Sequence, residues 1–234
     1  MTEPPTRRER LRAATVAEIK TVARRHLVAG GPGAVSLRAI ARDMGMTAPG
    51  LYRYFPSFDE LVSALVSDLY DELATELDRA RDAAGESPGV RALSVCRAFR
   101  TWSVAHPAEF GLLFGTPPLG DATPPGGAGR RFEGLFSALF ADLWLRYRFP
   151  TPERLEPDLA AQLEEWRRST GTDVPTGAVR VLLGGWVRVY GLVALEVFGH
   201  LAFVLDDSEP LFEETLREFA ETLGISEAYR RPAK

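Results

Sequence analysis

The chain carries a single cysteine, Cys96, in 234 residues, which excludes an intrachain disulfide and suits a reducing compartment. Cys96 sits with Val95, Phe99 and Trp102 at helical spacing, the pattern of a core filler, with a redox sensor as the alternative. The three histidines, His26, His106 and His200, are widely scattered, and no cysteine or carboxylate pair has ligand spacing. No metal and no cofactor is therefore expected. No apolar run approaches the roughly 18 residues of a membrane span, and the N-terminus lacks the apolar stretch of a signal peptide. A cytoplasmic protein without a membrane partner is expected. A G-x-S-x-G elbow, an H-E-x-x-H pair, a P-loop and a G-x-G-x-x-G fingerprint are all missing, so catalysis has no visible carrier. No hairpin or alternating strand pattern appears, which points to an all-α fold. Lysine is nearly absent too: Lys20 and Lys234 are the only two, and arginine supplies the remaining positive charge.

What is present is concentrated between Ser36 and Glu60, SLRAIARDMGMTAPGLYRYFPSFDE. Ser36 is a good N-cap, and Leu37, Ile40, Ala41 and Met44 recur at helical spacing. Gly45 falls where the chain must turn left-handed, a conformation that costs a residue with a Cβ about 1 kcal/mol or more. Thr47 then caps a second helix with Pro49 in its first turn, where a missing N–H does no harm. Two short helices around a glycine turn make a helix-turn-helix, whose second helix enters a DNA major groove. Leu51 and Phe55 should lock that helix inward, while the hydroxyls of Tyr52 and Tyr54 reach phosphate oxygens. Thr47, Ala48, Pro49 and Gly50 are small enough to approach the groove floor, with Ala48 or Pro49 against thymine methyls. Arg38 is the candidate for a bidentate guanine contact, and Ser36 for a phosphate contact.

These residues resemble the DNA-binding head of the TetR-type bacterial transcriptional regulators. The matching positions are Ser36, Leu37, Arg38, Ile40, Ala41, Gly45, Thr47, Pro49, Leu51, Tyr52, Tyr54, Phe55, Ser57 and Glu60. Phe58 departs from the pattern, standing where the family often has a lysine that reaches a phosphate. The charge agrees with a DNA-binding head. Residues 1–57 hold ten of the chain's 28 basic residues and only four of its 32 acids, so a basic head precedes an acidic body. The cluster Arg7, Arg8, Arg10 and Arg12 reads as a flexible arm for phosphates or a minor groove, or else as a solubilising tail. An architectural, sequence-neutral DNA protein remains an alternative, opposed by the acidic, aromatic-rich body. A helical enzyme acting on a bound small molecule is the other.

The expected architecture is a three-helix head, residues 1–57, joined by a long helix to a larger helical domain, residues 58–234. The first helix should span about Arg8–Ala29, with Val16, Ile19, Val22, Ala23 and Leu27 inward. Ser57 and Glu60 form a capping box, after which Leu61, Leu65, Leu69, Leu73 and Leu77 repeat every four residues to about Ala84. Helices at Val90–Ala105, Pro107–Phe114, Arg130–Tyr147 and Glu153–Ser169 follow. Gly115–Gly129 is expected to be a mobile loop. From Thr176 the chain is apolar on almost every face, and a second apolar helix follows from Leu211. Pairing of these two helices with their copies would form a four-helix interface, with Trp186, Val189, Val193, Val197, Phe212, Leu216 and Phe219 in it. This tail resembles the TetR subgroup with a Trp…His-Gly signature: Trp186 and Gly191 match, while Tyr190 stands at the histidine position. The resemblance implies a small-molecule effector held among the body helices. Phe99, Trp102, Phe110, Phe114, Phe136, Phe140 and Trp144 are the candidate contacts, with ordinary core packing as the alternative. Together these expectations describe a homodimeric repressor, released by a small apolar or aromatic effector from a palindromic double-stranded operator.

Overall fold

The structure, a computed structural model, describes residues 6–115 and 127–231. Among the described residues there are ten α-helices, two 3-10 turns and no strand. In chain order they are α1 (Arg7–Gly30), α2 (Leu37–Asp43), α3 (Ala48–Tyr52), α4 (Phe58–Ala83), α5 (Pro88–Ala105), α6 (Pro107–Phe114), α7 (Gly127–Tyr147), α8 (Pro157–Thr170), α9 (Thr176–Val197) and α10 (Glu209–Thr222). The short turns are Pro32–Ala34 and Ser226–Ala228. Of the expected loop, residues 116–126 lie outside the described residues, and α7 begins before the loop's expected end at Gly129.

The chain forms two compact units. The first comprises Met1–Glu72 and His106–Arg130, and the second comprises Leu73–Ala105 and Arg131–Lys234. The first unit is thus larger than the head read from sequence, because it takes the start of α4 and all of α6. The physical reason is an ion cluster on Arg24 of α1. Its Nε donates to Glu109 Oε1 on α6 (2.9 Å), and its Nη1 and Nη2 donate to Glu72 on α4 (2.6 and 3.1 Å). Ile19, Ala23 and Leu27 of α1 are fully enclosed, with Val22 nearly so, and Val16 lies at the margin. The leucine ladder of α4 is realised in full: Leu61, Leu65, Leu69, Leu73 and Leu77 are all buried.

The starts of α1 and α8 depart from the sequence reading. Helix α1 begins a residue earlier than expected because Thr6 caps it. The Thr6 hydroxyl accepts from Glu9 N, and the Glu9 carboxylate accepts from Thr6 N in return. Those bonds hold the Glu9 carboxyl below its usual range. Helix α8 starts at Pro157 rather than Glu153, because the Glu156 carboxylate takes the free N–H groups of Asp158 and Leu159.

In the second unit, α9 packs against α5, α8 and α10. By length and composition α9 is apolar enough to cross a membrane, a test that the core helix of a folded unit also passes. Arg180 and Arg188 interrupt the run without cancelling its average, which is why a search for unbroken apolar stretches passes over it. Its apolarity has a use inside the unit: Ala178, Val179, Leu182, Gly185, Val189 and Val193 are buried. Arg97 on α5 grips Glu213 on α10 through both carboxylate oxygens (2.7 and 2.8 Å). Burial pushes the Glu213 carboxyl up, but the Arg97 hydrogen bonds outweigh it and the group titrates below its usual range.

Candidate functional site

Helices α2 and α3 pack on each other and α2 packs on α1, which builds the three-helix head. The turn between α2 and α3 is made by Gly45, whose φ of 64° is left-handed. Leu51 is completely buried and Phe55 nearly so, which fixes the inward face of α3. Thr47 caps α3 by accepting from Gly50 N (3.2 Å). Thr47 and Pro49 are exposed, and Ala48 and Gly50 are half-buried. Tyr52 is 44% exposed. Arg38 is exposed at the start of α2. Ser36 occupies the N-cap position in an extended conformation, but its side chain makes no capping bond, contrary to the expectation for that hydroxyl. His26 and Asp43 tie α1 to α2 at 2.7 Å, and the imidazole holds the Asp43 carboxyl below its usual range. Glu60 N donates to Ser57 Oγ (3.1 Å) at the start of α4, and Phe58 is 39% exposed with no charge to offer a phosphate.

The arginine cluster at the N-terminus is not a flexible arm. Once Thr6 caps α1, Arg7, Arg8 and Arg12 are carried on its first turns, beside residues of the α3 region. A hollow of about 680 Å³ is lined there by Arg7, Arg8, Leu11, Arg12, Thr15, Met46, Gly50, Arg53 and Tyr54. The Arg12 guanidinium lies over the Tyr54 ring, 5.2 Å from its centroid, and its Nη1 donates to the Arg53 carbonyl (3.4 Å). Sequence reasoning missed Arg53 and the pairing of Arg12 with Tyr54. The available signal was the i, i+4 spacing of Arg8 and Arg12, which puts both on one face of a helix.

The residues expected around an effector divide between the two units. Phe110 and Phe114 belong to the first, where Phe110 is buried and Phe114 meets the Tyr70 ring edge-on at 5.9 Å. Phe136 and Phe140 line a cavity of about 30 Å³ in the second, with Ala92, Val95, Cys96, Leu182 and Val189 among its other walls. Trp186 also lines that cavity and touches Phe136 (4.6 Å), Phe99 (5.2 Å) and Tyr190 (5.8 Å). Burial pushes the Tyr190 hydroxyl above the usual tyrosine range. Phe99 and Trp102 are buried, and Trp144 instead packs edge-on against Phe149 at 5.3 Å. Cys96 faces the cavity, where burial pushes its thiol up to about 12, the opposite of a reactive thiolate.

The residues assigned to a subunit interface need a correction. Val189, Val193, Phe212, Leu216 and Phe219 are at most 7% exposed within one chain, so they fill its own core and cannot face a partner. Trp186 and Val197 are half-buried. An apolar helix read alone does not say which of its faces the chain itself will cover. Exposed apolar residues from α9 to the start of α10 include Val187, Leu195, Phe198, Phe203, Val204 and Leu211. Among the described residues, no group of three His, Cys, Asp or Glu side chains is placed to hold a metal ion.

Residues 19–65 match the family model described as bacterial regulatory proteins, tetR family. Residues 92–219, more than half of the chain, match the tetracyclin repressor-like C-terminal domain, a stretch that includes Trp186, Tyr190 and Gly191. The HTH-type transcriptional regulator Rv1816 of Mycobacterium tuberculosis is 34% identical over 207 residues, covering 86% of this chain and 88% of that one. The crystal structure of the regulatory protein SCO4313 is similar with a TM-score of 0.73 and 30% identity, over 92% of this chain and 100% of that one. That of RolR in complex with resorcinol shares the fold, with a TM-score of 0.54 and 18% identity over 96% and 98% of the two chains. With a matched head, a matched body and relatives along most of its length, this chain belongs to the TetR family of helix-turn-helix transcriptional regulators.

Proposed function

We propose that the protein is a homodimeric, effector-responsive repressor that reads a palindromic operator with Ser36, Arg38, Thr47, Ala48, Pro49, Gly50 and Tyr52 of each head. The observation that carries this reading is the head itself. Helix α3 is anchored by buried Leu51 while Tyr52 on α3 and Arg38 on α2 remain exposed, on the basic end of an otherwise acidic chain. Two-fold operators call for two heads. A second copy would dock on the outer face of α9 and α10, where Val187, Leu195, Phe198 and Leu211 are exposed and nothing lies within 4 Å of a Cβ built on Gly191.

The effector reading rests on the apolar cavity beside Trp186. At about 30 Å³ it is far smaller than the roughly 300 Å³ or more that a bound small molecule occupies. A ligand entering there must part the rings of Phe136, Phe140 and Trp186, and so must prefer a body conformation different from this one. That differential affinity is the thermodynamic requirement for release from DNA. RolR, which shares the fold, was crystallised with resorcinol, and a small apolar or aromatic effector fits the lining here.

The test is selection of purified protein against random duplexes. Enrichment of a palindrome bound far more tightly than random DNA is expected, and enrichment of nothing would leave only sequence-neutral binding. On that palindrome, Arg38→Ala should relax base preference at one position per half-site by roughly 1–3 kcal/mol. A uniform loss over all sequences would make Arg38 a phosphate contact. Tyr52→Phe should weaken binding without changing the dimer's thermal midpoint, and unchanged affinity would remove its hydroxyl from the interface.

A further inference from the structure

We infer that the arginine hollow between α1 and the end of α3 is a second phosphate-binding site of the head, in which Tyr54 positions Arg12 rather than contacting DNA itself. The inference rests on the DNA-binding reading above and adds, to the exposed residues of α2 and α3, guanidiniums carried on α1 and at the C-cap of α3. Four guanidiniums, from Arg7, Arg8, Arg12 and Arg53, line one concavity. None of them forms an ion pair with a carboxylate among the described residues. That is unusual within this chain, whose second unit pairs its arginines: Arg97 with Glu213, Arg100 with Glu196, Arg131 with Asp78 and Arg217 with Glu221. The nearest acid along α1, Glu9, is turned back to cap the helix through Thr6 and is not available to neutralise the hollow. Four like charges held together without an acid among the described residues call for a polyanion, and planar guanidinium forks match phosphate oxygens.

The shape of the site favours the sugar-phosphate backbone over a free anion. The hollow is about 680 Å³ and open along one side, which is more room than one phosphate needs. Leu11, 60% exposed, adds an apolar wall suited to a deoxyribose. Arg12 is the organised member of the set. Stacking on Tyr54 and donating to the Arg53 carbonyl remove much of the rotamer freedom that a long side chain otherwise loses on binding. Because the same segment carries α3, a strand gripped here also sets the depth and register at which α3 meets the bases.

The experiment is salt titration of binding by the full-length protein, using both a random-sequence 30-bp duplex and the selected palindrome. For Arg8→Ala/Arg12→Ala the slope of log affinity against log salt should become shallower by about 0.9 for each phosphate no longer neutralised. Affinity at low salt should fall about tenfold per arginine, with the rank order of single-base operator variants unchanged. Arg12→Gln, which keeps the stem packed on Tyr54, should behave likewise and guards against loss of fold. Tyr54→Phe keeps the ring and should match wild type, whereas Tyr54→Leu should weaken binding as Arg12→Ala does. Combining Tyr54→Leu with Arg12→Ala should then cost nothing further. An unchanged slope overturns the site, and an altered base ranking overturns it in favour of base reading by these arginines. A Tyr54→Phe loss as large as that of Tyr54→Leu overturns the positioning role. If wild type itself binds neither duplex, the DNA-binding reading fails with it, an outcome distinct from a wild type that binds and variants that do not differ.

Discussion

Replacing Arg24 by alanine is expected to destabilise the first unit by about 3 kcal/mol, the lower end of the range for breaking a buried ion pair from one side. Glu109 is the reason. Its side chain is only 5% exposed and accepts from Arg24 Nε, so the variant strands a carboxylate away from water. Glu72, about a third exposed, would lose two hydrogen bonds but regain solvent, which keeps the loss from reaching the upper end of that range. Arg24→Lys should recover part of the stability, since one ammonium can satisfy one carboxylate but not fork between two. Glu109→Gln should cost less than Arg24→Ala, because it removes the buried charge while Arg24 keeps Glu72. Urea midpoints rank the three variants. Faster amide exchange in α6 and at the middle of α1 should accompany Arg24→Ala, and equal midpoints for all three would mean the cluster does not hold these helices together.

The second large effect is expected where α9 meets α10. A Cβ built on Gly185 would fall well inside van der Waals contact with Cε2, Cζ and Cδ2 of Phe219, a ring that is 7% exposed. Gly185→Ala should therefore cost about 3 kcal/mol, at the top of the range for overpacking. Phe219→Ala should cost about 3–5 kcal/mol, since the void it leaves joins the cavity that Phe219 already borders. The pair should be strongly non-additive: Gly185→Ala with Phe219→Leu should be more stable than the sum of the two single losses predicts. Additive losses in thermal midpoint would show that the helices separate rather than share one contact. The same variants bear on the effector, because Phe219 and Gly185 both border the cavity.

Much of the head was legible in the chain because each of its signals is local. Gly45 turns left-handed, Thr47 caps α3, and Leu51 and Phe55 face inward, all as the residue types demand. The leucine ladder of α4 was legible for the same reason, since a four-residue repeat needs only helix geometry to define a face. Legibility failed where two segments had to compete for the same side chain. Val189, Val193, Phe212, Leu216 and Phe219 carry the pattern of an interface and of a core alike, and only the packing of α9 on α5, α8 and α10 assigns them to the core. The effector candidates carry a similar ambiguity, because aromatics at helical spacing on α5, α6 and α7 have no sequence mark of which unit will enclose them.

What the amino-acid sequence determined by itself is therefore the all-α class, the helix-turn-helix and its outward residues, and the division between a basic head and an acidic body. These follow from caps, glycine φ, 3.6-residue periodicity and charge counts, which act over a few residues or over none in particular. The tertiary structure alone decided that α6 joins the first unit through Arg24 and Glu109, that Arg12 lies on Tyr54 in a four-arginine hollow, and that Trp186 meets Phe136 and Phe140 around a cavity of about 30 Å³. Each of these depends on side chains separated by tens of residues meeting at a distance of a few ångströms. No local propensity encodes such a meeting, since it is set only when every helix has found the face it must bury.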